Sequence, residues 1–150
     1  MRYTMAPVLL LAALLCAPAH AAVEGLLGGA RNLAAASLPT LLGNRLGVSE
    51  EQAEGGMGAM LMLARSRLVA GDFDLLAGMI PGASGYLEAA KTLLGADADV
   101  SSVSGLESSL GAMGYATEAV SAFAPTVTDV VSSVGGERAT SLLGQVFAAP

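Results

Sequence analysis

The sequence predicts an all-α protein, a small helical bundle of two loosely repeated helix-loop-helix units preceded by a cleaved signal peptide. No run of alternating β-branched and aromatic residues between turns, the mark of a strand, occurs along the chain. Helix start and stop signals recur instead. Hydrophobic residues make up 53% of the 150 residues but aromatic residues only 4%. The core must therefore be built from small and aliphatic side chains, which favours thin, closely packed helices.

The first 21 residues have the layout of a secretory signal peptide. Arg2 is their one basic residue, an apolar run extends from Ala6 to Leu15, and the segment ends in the small-residue sequence Ala-His-Ala. A signal peptidase recognises that order of regions, so we expect cleavage after Ala21 and export to the periplasm or the cell exterior. An uncleaved anchor and lipidation at Cys16 are the alternatives, and the bulky Leu15 before the cysteine disfavours lipidation.

Cleavage would remove Cys16 and His20, the only cysteine and the only histidine of the chain. The mature chain would then lack thiolate nucleophiles, disulfides, imidazole bases and nearly all zinc ligation. We therefore expect no enzyme activity and no cofactor, and the sequence offers no catalytic, cofactor-binding or metal-binding residue. Loss of Arg2 leaves six basic against thirteen acidic residues and changes the formal net charge from -6 to -7. Because an acidic surface repels nucleic acid, we expect no nucleic-acid partner.

The rest of the chain is expected to form one helical domain after a weak first segment. Residues 22–36 are rich in alanine and leucine, but a Gly-Gly pair interrupts them, so they predict a weak, frayed helix. Residues 37–150 form the domain, with units at about 37–94 and 106–147 and a linker at 95–105.

Two helices open the first unit. Ser37 caps a short helix that Gly47 ends. The next helix starts with a capping box, in which the side chains of Ser49 and Gln52 each accept a hydrogen bond from the other's backbone amide. Two glutamates in its first turn complement the helix dipole. This second helix should continue to about residue 70 and stop at Gly71.

Three glycines lie inside this second helix. Gly55, Gly56 and Gly58 each cost about 1 kcal/mol relative to alanine, so packing in the folded chain has to offset them. A G-x-x-x-A step of Gly55 and Ala59 would let a neighbouring backbone approach closely. On a helical wheel most sides are apolar or small, Gly58 falls on the narrow charged stripe, and the helix is therefore expected to be central. Its apolar stretch, residues 55–64, is too short to cross a bilayer, so we expect no transmembrane span in the mature chain.

The first unit ends with two further helices. Asp72 is expected to cap a helix from Phe73 to Ile80, which Pro81 and Gly82 break. Ser84 or Gly85 then opens the last helix of the unit. Each boundary is placed at a residue that favours a cap or a turn.

The second unit repeats this order after the linker. We expect a short helix from Leu106 to Met113, a longer one from Thr117 to Val134, a stop at Gly135-Gly136, and a last helix from Glu137 to Phe147. Pro125 should bend the longer helix. In both units a capped acidic start opens a long apolar helix, which a glycine, an acidic residue and a short helix follow.

Three blocks resemble a known family. "LGVSEEQAEGGMGAMLMLARSRL", "DFDLLAGMIPG" and "VVSSVGGERATSLLG" are similar to sequences of the exported bacterial VcgC/VcgE family, a domain of unknown function, over residues 41–147. The resemblance implies an all-helical exported protein with no assigned activity. It carries no catalytic residue over to this chain.

Clusters of acidic residues are weak candidates for chemistry. Asp97 and Asp99 have the spacing of a calcium loop, but Ser102 stands where such a loop needs glycine and Ser108 where it needs glutamate. These residues are therefore interpreted as a solvated linker. Lys91, the only lysine, is expected on a wet helix face beside a glutamate, which makes a serine–lysine pair improbable.

The remaining hypotheses concern binding. Five methionines either fill gaps in a ring-poor core, the interpretation we prefer, or form an adaptable binding surface: Met57, Met60, Met62, Met79 and Met113. The sequence favours a structural or protein-interaction module, which could be a homo-oligomer or could bind a protein partner. The alternative is a carrier that binds an apolar ligand or lipid between its two helical units.

Overall fold

The computed structural model describes residues 38–148, and every regular element in this range is an α-helix. The helices are α1 at residues 38–46, α2 at Glu50–Arg67, α3 at Ala70–Met79, α4 at Ala83–Leu94, α5 at Val103–Ala112 and α6 at Thr117–Ala148. The predicted all-α class is confirmed for these residues. The expected signal peptide, the weak helix at 22–36 and the Ser37 cap lie outside the described residues.

Helix α2 is the central element. It contacts α3, α4, α5 and α6, and it packs most extensively against α4. Ten of its residues are buried, and they cover nearly every side of the helix: Ala53, Gly55, Gly56, Met57, Gly58, Ala59, Met60, Leu61, Leu63 and Ala64. A helix that is apolar or small all round has to be enclosed by neighbours, so the expected central position is confirmed.

The start of α2 matches its predicted chemistry. The backbone amide of Gln52 donates to Ser49 Oγ at 3.1 Å, and the backbone amide of Ser49 donates to Gln52 Oε1 at 2.9 Å. Both hydrogen bonds of the capping box are present. Before it, α1 ends at Gly47, whose φ of 67° is a left-handed conformation that favours glycine.

The junction between α2 and α3 differs from the prediction. Leu68 and Val69 both have extended backbone angles, so α2 ends at Arg67. Helix α3 begins at Ala70, and Gly71 therefore lies inside a helix rather than ending one. The prediction that Asp72 caps α3 is wrong, because the cap is Val69 and no side chain bonds to the first turn.

The linker is shorter than predicted. Helix α5 begins at Val103 rather than Leu106, because the backbone amide of Gly105 donates to Ser102 Oγ at 2.9 Å and makes Ser102 the N-cap. Helix α4 begins at Ala83, just before the expected Ser84. Both differences are of the size usual for helix boundaries predicted from sequence.

Helix α6 is broken where the sequence predicts a stop. Gly136 has φ 67° and ψ -164°, a backbone conformation that is essentially restricted to glycine. The two parts of α6 on either side correspond to the two predicted helices. Pro125 lies within the first part, and the non-helical backbone inside α6 is at Gly136 rather than at the proline.

Candidate functional site

Gly58 marks the closest approach of α2 and α4. A methyl group at Gly58 would overlap the backbone carbonyl oxygen of Tyr86 and would lie 2.6 Å from Cβ of Ala90. A backbone carbonyl cannot move aside as a side-chain end can, so only glycine fits here. The expected close approach is present, but the critical glycine is Gly58, and its assignment to a wet stripe is wrong because Gly58 is buried.

Gly55 and Gly56 make room for side chains rather than for a backbone. A Cβ at Gly55 would lie 2.5 Å from Cδ1 of Leu93 and 2.8 Å from the Met113 sulfur. A Cβ at Gly56 would meet the hydroxyl of Tyr115 and would lie 2.8 Å from Cε2 of Phe123. These long side chains therefore fill the space that the two glycines leave along α2.

A polar contact joins the start of α2 to the turn between α5 and α6. The Tyr115 hydroxyl donates to the Gln52 carbonyl at 2.8 Å, and Gln52 Nε2 donates to the Met113 carbonyl at 2.8 Å. The Tyr115 ring packs edge-on against Phe123, with centroids 5.9 Å apart. Burial raises the pKa of Tyr115 above its ordinary value. Residues more than 60 positions apart are thus held in one buried cluster.

The end of α2 holds two later parts of the chain. Ser66 Oγ lies 3.3 Å from the Val100 carbonyl oxygen, in the loop before α5, and 2.8 Å from the Leu63 carbonyl oxygen of its own helix. The Arg67 guanidinium donates to the Val146 carbonyl at 3.2 Å, in the last turn of α6. Carbonyls in a last turn lack partners within their helix, so a cation is well placed there.

The methionines belong to this scaffold rather than to a binding surface. Met57, Met60 and Met113 are buried, and Met62 and Met79 are partly buried against the core. Their interpretation as filling side chains is confirmed for these positions.

Helix α3 is the least covered of the helices from α2 to α6. Of its ten residues only Leu76 is fully buried, whereas Leu75 is 47% exposed and the preceding Val69 is 70% exposed. Gly71 and Gly78 lie one helical turn before and after Leu75, on the same side of the helix. No atom lies within 4 Å of a Cβ placed on either glycine. A single leucine therefore protrudes between two bare stretches of helix backbone.

Two carboxylates flank this leucine. Asp72 lies one turn before Leu75 and Asp74 is its immediate neighbour. Neither carboxylate forms a hydrogen bond or an ion pair with any part of the chain that the structure describes. We define the α3 face by these exposed or half-exposed residues: Val69, Gly71, Asp72, Asp74, Leu75 and Gly78.

Elsewhere, exposed apolar residues occur singly, and the only lysine forms an ion pair. Leu41, Leu93 and Val134 lie on α1, α4 and α6 respectively, and isolated exposed leucines or valines are ordinary on protein surfaces. Lys91 forms an exposed ion pair with Glu88 at 2.8 Å, as expected for its wet face.

Neither the acidic loop before α5 nor the break in α6 forms a candidate binding site. Asp97 and Asp99 are both exposed. Among residues 38–148, no group of three or more acidic side chains could hold a metal ion. An open depression beside the α6 break is lined by Ser132, Gly136, Glu137, Thr140 and Ser141. The hydroxyls of its Ser132 and Thr140 donate to carbonyls of their own helix.

Within its described residues, the chain is thus an all-helical protein with a tightly packed central helix and one loosely covered helix. It belongs to the VcgC/VcgE family of proteins of unknown function, whose family model matches residues 16–147. The resemblance drawn from the three sequence blocks is confirmed, and the match begins earlier than residue 41. Comparison with curated proteins and with solved structures found no match.

The membrane expectation can be tested only on the described helices. None of the helices within residues 38–148 combines the length and the apolar character that crossing a bilayer requires.

Proposed function

We propose that the protein is an exported, non-catalytic interaction module that presents the α3 face to a protein partner. The proposal rests on one observation, which is that α3 is rich in apolar residues although only one of its residues is fully buried. Leucine, phenylalanine, methionine and valine occur in or beside the helix, yet Leu75 and Val69 remain exposed. Exposed apolar residues beside polar ones are a common feature of binding surfaces.

Two features support a non-catalytic role. The only cysteine and the only histidine lie in the segment that we propose is removed by signal peptidase. Nucleophilic catalysis by serine needs a nearby base, and Lys91 is paired with Glu88 on the surface.

Export is the part of the proposal that is simplest to test. The layout of residues 1–21 supports cleavage after Ala21. Amino-terminal sequencing of the protein recovered from its native cell should give a start at Ala22. An intact Met1 in the recovered protein would contradict export by this route.

The carrier alternative has less support. The space between the helices along α2 is filled, since a methyl group at Gly55, Gly56 or Gly58 would meet a neighbour at 2.8 Å or less. A ligand between the units would have to displace these contacts. Mass spectrometry of the natively expressed protein should accordingly find no stoichiometric lipid, and a bound lipid at one copy per chain would favour the carrier.

We also propose that the domain consists of two related units, each a long helix, a break and a short helix. The order of α2 and α3 around the Leu68–Val69 junction resembles the two parts of α6 around Gly136. The fragments 37–94 and 106–147 should each be largely unfolded alone, because Tyr115 and Phe123 of the second cover Gly56 of the first and Met113 lies against Gly55, and mixing them should restore helical circular dichroism. Cooperative folding of either fragment alone would contradict this interdependence.

The interaction proposal is tested by site-specific photo-crosslinking in the organism that encodes the chain. A photoreactive residue replaces Leu75 on the α3 face, and a matched variant carries it at Leu41, which is 49% exposed on α1. We expect a discrete protein adduct from position 75 and none from position 41. No adduct at position 75, or the same adducts from both positions, would argue against the α3 face as the binding surface.

A further inference from the structure

We propose that the partner of the α3 face is a different protein, which contributes an amphipathic helix with basic side chains beside a small apolar strip. This inference rests on the proposed function and specifies the partner of the same surface. Its basis is charge complementarity together with the shape of the face.

The two carboxylates of the face set the charge of the partner. Asp72 and Asp74 flank Leu75, and neither is paired within the described chain. A partner that covers Leu75 also takes water away from these carboxylates. Removing water from an unpaired charge is costly, whereas a lysine or arginine at the same place compensates for the loss. A neutral or acidic partner surface would therefore bind poorly.

A second copy of the same chain is a poor source of that charge. The chain has thirteen acidic against seven basic residues. Among the described basic residues, Arg45 pairs with Asp129, Lys91 pairs with Glu88 and Arg67 bonds to backbone carbonyls, which leaves the exposed Arg65 on α2 and Arg138 on α6. In a symmetric dimer, moreover, the same patch meets itself, so the carboxylates of two α3 faces would face each other.

The glycines define the shape of the partner. Gly71 and Gly78 are seven residues apart, which is about 10 Å along a helix. Because nothing projects from either glycine, an approaching helix can lie close to the α3 backbone on both sides of Leu75. The partner strip that faces this segment is about two turns long, and small residues such as alanine fit against the protruding leucine.

Binding of two defined peptides to the protein spanning residues 22–150 tests the charge requirement. One synthetic helical peptide carries lysines beside an alanine–leucine strip, and the other carries glutamates at the same positions. Nuclear magnetic resonance shifts should show the basic peptide on the amides of Ala70–Met79, with binding that weakens as salt is added. Equal binding of the acidic peptide, or shifts spread over other helices, would overturn the inference.

Two matched double variants test whether binding depends on the carboxylates of the α3 face or on the overall negative charge of the chain. Asp72→Asn with Asp74→Asn removes two carboxylates from the face, and Asp97→Asn with Asp99→Asn removes two at the same spacing in the loop before α5. The first pair should weaken binding of the basic peptide about tenfold, while the second should leave it nearly unchanged. Asp74→Asn alone, on an exposed side chain, provides a variant that keeps the first turn of α3 intact. Equal losses in the two pairs would overturn the inference.

The crosslink at position 75 distinguishes failure of the inference from failure of the proposed function. A crosslinked partner segment with lysine or arginine next to small apolar residues supports both. An acidic or uncharged partner segment, or a second copy of this chain, overturns the inference and leaves the interaction module intact. Absence of any protein adduct overturns the proposed function itself.

Discussion

Helices α2 and α3 both contain glycines, but those inside α2 lie against neighbouring residues, whereas those of α3 face open space. In α2, a methyl group at Gly58 would collide with the backbone of α4. In α3, a methyl group at Gly71 or Gly78 would meet nothing within 4 Å. The propensity cost of glycine, about 1 kcal/mol relative to alanine, is therefore offset by close packing in α2, and no contact within the described chain offsets it in α3.

The largest effect should come from Gly58→Ala. The added methyl group has to push α2 and α4 apart, and overpacking against a backbone should lower the free energy of unfolding by about 3 kcal/mol despite the better helix propensity. Urea denaturation followed by circular dichroism measures this change. A neutral or stabilising effect would show that α2 and α4 do not pack as described.

Gly56→Ala should have a smaller effect, about 1–2 kcal/mol, because its neighbours are side chains that can move. Movement of the Tyr115 ring would break its hydrogen bond to the Gln52 carbonyl. Tyr115→Phe alone should cost about 1 kcal/mol through loss of that bond. In the double variant the two losses should not add, because removal of the hydroxyl gives the new methyl group space. Full additivity of the unfolding free energies would contradict the contact.

High pH should destabilise the surroundings of α2. Burial, with a smaller contribution from Glu54, raises the pKa of Tyr86 from 10.0 to about 12. Between about pH 10 and pH 12 the folded chain holds a proton that the unfolded chain has lost, so the free energy of unfolding should fall as pH rises. The slope is at most about 1.4 kcal/mol per pH unit for one tyrosine.

Tyr115, whose pKa burial also raises, adds to this alkaline loss, and the share of Tyr86 can be separated from it in the chain spanning residues 22–150, whose tyrosines are these two. Urea midpoints measured across the same pH range should fall less steeply in Tyr86→Phe. Phenolate absorbance should appear together with unfolding rather than before it. A phenolate signal in the still-folded protein at the ordinary tyrosine pKa would contradict the burial of this residue.

Gly78→Ala on α3 should have the smallest effect and the opposite sign. A methyl group there meets open space, so the substitution should stabilise the protein by about 0.5 kcal/mol through the unfolded chain. The same substitution adds bulk to the proposed binding surface and should reduce the crosslink at position 75. A loss of stability comparable with that of Gly58→Ala would remove the contrast between the two helices.

The helix boundaries that the sequence predicts correctly are those set by residues close together in the chain. The Ser49–Gln52 capping box and the break at Gly136 both follow from residues a few positions apart, and both are present. The junction at Leu68–Val69 contains neither glycine nor proline, so it carries no stop signal, and the sequence predicts a stop at Gly71 and a cap at Asp72 instead.

Features that depend on a distant partner could not be predicted. A helical wheel identifies which side of α2 Gly58 occupies, but not that the Tyr86 carbonyl lies against it. The exposure of Leu75 was missed for a related reason, because an apolar helix is expected to be buried. Only the tertiary arrangement shows that the neighbours of α3 leave this side uncovered.

The bond from Arg67 to the Val146 carbonyl also has a consequence for the order in which the protein is completed. A chain is synthesised with its amino terminus first, and the export that we propose would thread it in the same order. The partner of Arg67 arrives 79 residues later, and the Tyr115 and Phe123 rings that cover α2 arrive more than 50 residues after Gly56. Helix α4 can cover one side of α2 early, but the sides that Tyr115, Phe123 and the end of α6 cover stay open until nearly all of the chain has emerged. Such delayed closure would keep a newly made chain loose enough to be threaded, and native structure would form only after passage.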